Sequence, residues 1–135
     1  MNLASDLMGL GVSPLIASRT SNGGSGPITI TAAGTAFASA TRLGCTQYFV
    51  TCTTAGGSGG AAISLPVVGT DNGALLADDF VVNNATATQS LTIFASSGVA
   101  ISVGGTNTSS TTVSVHTSMT LYPVSTTQWI GVKGS

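Results

Sequence analysis

Glutamate is absent from this 135-residue chain, and charge of either sign is scarce: three Lys or Arg and four Asp leave a net charge of -1. Soluble domains usually carry about a quarter of their residues as Asp, Glu, Lys and Arg, against 5% here. The surface is therefore expected to be polar without being charged. Basic residues are limited to Arg19, Arg42 and Lys133, too few to neutralise the several phosphates that nucleic-acid affinity requires. No nucleic-acid partner is expected. Disorder is also excluded, because 42% of the residues are hydrophobic and mean hydropathy is +0.47, whereas disordered chains combine low hydrophobicity with high charge. Long apolar runs are missing as well. A membrane-spanning helix needs about 20 mostly apolar residues in succession, so no membrane partner is expected. The opening stretch, residues 1–18, lacks a basic region, carries Asp6 and is broken by Gly9, Gly11 and Pro14, which does not fit a signal peptide.

Residues that carry chemistry are equally few. The single histidine, His116, lies in Val113-Ser114-Val115-His116-Thr117, where alternation predicts a strand with His116 on the face opposite Val113 and Val115. A nucleophile needs a base held by a carboxylate, and no G-x-S-x-G elbow presents a serine to His116. Asp78 and Asp79 precede Phe80 and read as a loop pair, because neighbouring residues do not share one face of a strand. With Asp71 they match no calcium-loop spacing. Cys45 and Cys52 are seven residues apart in a β-rich run, on opposite faces and about 23 Å apart if extended, too far for a disulfide. One His and two Cys so placed do not make a zinc site. The glycine-rich run 55–60 lacks the lysine of a phosphate loop, and Trp129 reads as a core or rim anchor of the last strand. These residues favour a binding or structural protein over an enzyme, and they imply no metal and no cofactor.

What the chain does have falls into three parts. Leu3, Leu7 and Leu10, with Met8, recur at helical spacing, and Val12, Leu15 and Ile16 follow around Pro14. The spacing predicts a short helix and then an extended stretch. One or two helical turns are marginal alone in water, so this arm, residues 1–22, needs a surface: its own domain, a sister subunit or another protein. Residues 23–27 (Gly-Gly-Ser-Gly-Pro) read as a flexible linker. From Ile28 to Ser135 the signal is β throughout. Ile28-Thr29-Ile30-Thr31 alternates apolar and polar, and further short runs follow between turn signals such as Asn83-Asn84, Ser96-Ser97-Gly98 and Gly104-Gly105. With no helix long enough for a crossover, the expected class is all-β: an antiparallel sandwich or jelly-roll-like barrel of about eight or nine short strands. Threonine and serine occupy the outward positions, and strand edges without Lys or Glu lack the usual guard against pairing. Coverage of those edges by other subunits is the expected remedy.

The second half carries a resemblance. Leu65-Pro66, Phe80-Val81-Val82-Asn83-Asn84, Leu91-Thr92-Ile93-Phe94, Gly98-Val99-Ala100-Ile101, Leu121-Tyr122-Pro123-Val124 and Gln128-Trp129-Ile130-Gly131 form an ordered series over roughly residues 61–133. The series is similar to a β-module of tailed-bacteriophage structural proteins, found in capsid decoration (cement) proteins and in head or tail fibres, often as trimers. The resemblance implies a virion protein on the outer surface of the capsid, whose partners are the major capsid protein and itself as a homotrimer. Fibres usually append the module to long repeats, so decoration is the first expectation; a receptor- or glycan-binding head or tail fibre component is the alternative. The arm residues Leu3, Leu7, Met8, Leu10, Val12, Leu15 and Ile16 would then grip capsid or a neighbouring subunit. Arg19, Arg42, Asp78 and Asp79 would set register at subunit contacts.

Overall fold

The computed structural model describes residues 28–44, 49–54, 60–69, 74, 76, 78–86 and 88–134. Its strands are β1 (Ile28–Ala32), β2 (Thr41–Arg42), β3 (Phe49–Thr54), β4 (Ala62–Ser64), β5 (Phe80–Asn84), β6 (Leu91–Phe94), β7 (Ala100–Val103), β8 (Thr106–Thr108), β9 (Ser110–Val113), β10 (Ser118–Ser125) and β11 (Gln128–Lys133). They build a seven-stranded sheet, ordered β1-β3-β5-β10-β11-β7-β8, and a four-stranded sheet, ordered β2-β4-β6-β9. The all-β class stands, with eleven strands among the described residues. The arm, its helix, the linker and Arg19 lie outside them.

The expectation of purely antiparallel sheets is corrected. β1, β3 and β5 run parallel in the larger sheet, and β2, β4 and β6 run parallel in the smaller. The chain passes from one sheet to the other and back, so each strand of one sheet serves as the crossover for the other. Parallel pairing needs a connection of a dozen or more residues, but that connection need not be a helix. Residue 28 pairs with 50 and residue 41 with 63, an offset of 22 in both sheets. The same offset relates Ile28-Thr29-Ile30-Thr31-Ala32-Ala33-Gly34 to Val50-Thr51-Cys52-Thr53-Thr54-Ala55-Gly56 in the sequence. The first two turns of this winding are thus a sequence repeat, which alternation within single strands does not reveal. Beyond β5 the character changes. β10 pairs antiparallel with both β5 and β11, β7 with β8, and β6 with β9, while β11 and β7 are parallel.

The turns follow local chemistry. β7 and β8 are joined by Gly104-Gly105, both at positive φ (58° and 85°), as a two-residue hairpin of this twist requires. Residues 35–43 make a 3₁₀ turn at Phe37–Ser39 and only then β2. The Ser39 hydroxyl accepts hydrogen bonds from the backbone N–H groups of Thr35 and Ala36, an alternative to a ladder that serine readily offers. His116 is also not in a strand: it occupies the turn between β9 and β10 with φ 55°.

Buried residues of both sheets form one apolar cluster. Val50, Cys52, Phe80, Val82, Met119, Leu121, Trp129 and Ile101 come from the larger sheet, and Ile63, Leu91, Ile93 and Val113 from the smaller. Phe80 and Trp129 meet edge to face, with ring centroids 5.4 Å apart, the arrangement the aromatic quadrupole favours. Among the described residues, Ser64, Asn84 and Thr86 are the buried polar side chains. Asn84, fully buried, directs its amide nitrogen to the carbonyls of Gln89, Val113 and Ser114 at 3.0, 3.1 and 3.2 Å. Its oxygen accepts from the Thr86 backbone N–H and hydroxyl. Asn84 was expected to supply turn geometry; it ties the end of β5 to the end of β9.

Candidate functional site

The groups able to do acid-base or nucleophilic work are dispersed. Cys52 is buried in the core, and desolvation pushes its thiol up to about 12, so the reactive thiolate is suppressed at neutral pH. Cys45, Tyr48 and Asp71 lie outside the described residues. Arg42 is on β2, the edge of the smaller sheet, paired with Ser64. Asp78 and Asp79 lead into β5 of the larger sheet. Of the charges expected to set register, Arg42 is therefore on one sheet and the two aspartates at the start of a strand of the other; they are not brought together. The described residues include no group of three or more His, Cys, Asp or Glu suited to holding a metal. A polar recess of about 430 Å³ lies among Gly34, Thr35, Gly60, Ala61, Gln89, Ser90 and Thr92. Its lining offers hydroxyl, amide and backbone groups but no titratable side chain.

The larger sheet presents a different kind of surface. Side chains alternate across a strand, and with Phe80 and Val82 buried, Val81 between them faces outward. Cross-strand register places Val81 opposite Phe49 on one side and Thr120 on the other, with Val132 beyond. Phe49 is 47% exposed and Val132 49%. Along the strands, Tyr122 pairs with Ile130, and Ile130 with Ser102. A bulge in β10 between Pro123 and Ser125 leaves Val124 outside the register and exposed, the kind of redirection bulges produce. Val124, Tyr122 and Pro123 join Leu76 and Asp79 around an apolar recess of about 450 Å³. The outer face of β3, β5, β10 and β11 is thus an uncharged surface of Phe49, Val81, Tyr122, Ile130 and Val132, with Asp79 at one margin; Lys133, paired with buried Met119, is on the other side of β11 from Val132.

Of these residues only Asp79 was singled out as a site residue from the sequence. The missed signal is in β11: Trp129 and Gly131 face the interior, so Ile130 and Val132 make the strand apolar on both faces. Two-sided hydrophobicity in a strand of an outer sheet marks a face that serves a contact. Comparison of the chain with protein families, with characterised proteins and with solved structures finds no match.

Proposed function

We propose that this protein is a bacteriophage capsid decoration protein: a two-layer β-sandwich that attaches as a homotrimer to the outer surface of the head and cements the shell. The observation that carries the reading is the uncharged, partly apolar outer face centred on Val81 and Ile130, together with the resemblance of residues 61–133 to the phage β-module. A surface of this composition suits a subunit whose working state is an assembly, because each charge buried there would need a partner. Cementing requires no catalytic group. Apolar area buried across subunit boundaries, at about 25 cal/mol per Å², stiffens the shell.

In this reading the arm, residues 1–22, attaches to the major capsid protein through Leu3, Leu7, Met8, Leu10, Val12, Leu15 and Ile16, and residues 23–27 tether the β-domain. With so few charges, attachment varies little with salt. The test mixes the full chain, and a variant lacking residues 1–22, with capsids stripped of accessory proteins, and measures cosedimentation. The full chain is expected to cosediment at both low and high salt, and the truncated chain to stay in solution while keeping its β-sheet circular dichroism. Attachment that survives the truncation refutes the role of the arm. A failure of the full chain to bind capsids, with retention on a glycan array instead, replaces decoration by the fibre reading.

A further inference from the structure

We infer that the arm docks on its own β-domain before the protein attaches to anything, with Leu15 in the apolar recess beside β5 and β10 and Arg19 on Asp79. The docking is independent of what the arm later binds. Its consequence, that attachment is an exchange in which capsid displaces this contact, rests on the capsid reading.

The recess is formed by the sheet and left uncovered by it. Tyr122 follows Leu121, the partner of Phe80, so it stands across from Asp79, and Leu76, Pro123 and Val124 complete a hollow of about 450 Å³. Leu76 is 58% exposed and Val124 48%, apolar surface that gains by being covered. Asp79, exposed on the same outer side, puts one negative charge at the margin.

The place where the chain enters the domain fits its own arm to this recess. β1, β3 and β5 run parallel, with Ile28 level with Val50 and Val82. The chain therefore comes into β1 at the end of the sheet where Asp79 leads into β5. Two strands at about 4.8 Å and three residues at about 3.3 Å put Asp79 roughly 14 Å from Ile28. Arg19 precedes Ile28 by nine residues, and a flexible span of that length has an r.m.s. extent of about 15–18 Å. Effective concentration is highest when tether and gap match, so the chain's own arm has the advantage over that of another copy.

Charge selects the residue. Of the three basic residues, Arg42 is on the smaller sheet, and Lys133 pairs with buried Met119 on the side of β11 away from the outer face. Arg19 is left to meet Asp79. Leu15 precedes Arg19 by four residues, a spacing that puts two side chains on one face in a strand and in a helix alike. Exposed ion pairs add little affinity, so Leu15 in the recess holds the contact and Arg19 fixes its register.

The experiment is limited trypsin digestion of the full chain, without capsids, timing the cut after Arg19. The wild type is expected to be cut slowly. Asp79→Asn is expected to be cut about two- to fivefold faster, the weight of an exposed ion pair, and Val124→Asp at least about tenfold faster, as loss of a central apolar contact gives. Thr112→Asp, on the exposed outer side of β9, leaves the rate unchanged. Asp79 and Val124 are exposed, so folding is not at stake. In a Cys45→Ser background, Ala17→Cys with Val124→Cys is expected to oxidise to a disulfide within one chain, faster than Ala17→Cys with Thr112→Cys. A wild type cut as fast as Val124→Asp, a cross-link no faster than that control, or a cross-link that joins two chains overturns the inference. The locked chain is then mixed with stripped capsids, where it is expected to cosediment only after reductant is added. Cosedimentation while locked overturns the exchange; a chain that binds in neither state refutes the capsid reading alone, because the docking is measured without capsids.

Discussion

Replacing Asn84 probes a place where the interior depends on polar groups. Leucine has the branching and heavy-atom count of asparagine but is the larger side chain, so Asn84→Leu keeps the outline, crowds it slightly and removes the hydrogen bonds. The single Thr86 hydroxyl proton lies within reach of both the Asn84 oxygen and the Gln89 carbonyl at 2.6 Å, and without Asn84 it goes to Gln89; the Ser114 carbonyl keeps Thr117 through its N–H at 3.2 Å and its hydroxyl at 2.9 Å. The Val113 carbonyl stands opposite Leu91 in the β6–β9 ladder, so the loss falls on the Thr86 N–H, which donates to the Asn84 oxygen at 3.1 Å. A buried group left without a partner costs about 1–3 kcal/mol, so Asn84→Leu is expected to destabilise by about 1–3 kcal/mol, out of a total that for most domains is 5–15 kcal/mol. Asn84→Asp separates the two ends of the amide. It keeps the acceptor for Thr86 but, when ionised, turns a buried charge toward three carbonyls, and burial with such neighbours favours the protonated form. Its folded pKa then lies above the unfolded value of about 3.9. Between those two values the folded state binds the extra proton, so stability falls as pH rises through the window. Urea unfolding at pH 4 and pH 7, at one protein concentration and followed by Trp129 fluorescence, measures both variants. An Asn84→Leu protein within about 0.5 kcal/mol of wild type, the range of an inconsequential surface change, refutes the assigned role. So does an Asn84→Asp protein whose deficit is the same at both pH values.

Other expectations follow from the packing. Gly60 has φ 73°, and a Cβ there would fall on the Gly34 carbonyl, whereas Gly98 at φ 77° has open space around it. Gly60→Ala is expected to cost clearly more than the roughly 1–2 kcal/mol of left-handed strain alone, and Gly98→Ala no more than that, as thermal melts of the two would show. Trp129 is fully buried and its indole N–H finds no acceptor among the described residues. Trp129→Phe removes that orphan donor and is expected to cost less than about 3 kcal/mol, while Trp129→Ala costs about 3–5 kcal/mol; chemical unfolding followed by circular dichroism checks both. In a Cys45→Ser background, Cys52 is expected to resist an aromatic disulfide reagent until the protein unfolds. Its thiol ionises near pH 9.0 when unfolded and about 12 when folded, so stability declines as pH climbs between those values, which a series of melts from pH 8 to 11 would register.

Much of the β-domain was legible from local pattern. Ile28-Thr29-Ile30-Thr31, Leu91-Thr92-Ile93-Phe94 and Gln128-Trp129-Ile130 announce strands because period-two alternation and β-branched side chains act within a few residues. Gly104-Gly105 announces its hairpin because only a residue free of a Cβ adopts two successive positive φ values cheaply. The candidate face was not legible in the same way. Whether Val81, Ile130 and Val132 point into a core or out of it depends on what covers each side of the sheet, and Phe49 joins them only because β3 lies beside β5.

The sequence by itself determined that this protein is β-built, nearly free of charge and provided with very few groups for acid-base chemistry, since composition and alternation are properties of the chain alone. Only the tertiary structure decided that β1 to β6 wind alternately through two sheets. Hydrogen bonds between strands 22 residues apart are long-range, and the direction of pairing depends on how the intervening chain returns. The same long-range register assembles Phe49, Val81, Tyr122, Ile130 and Val132 into one surface.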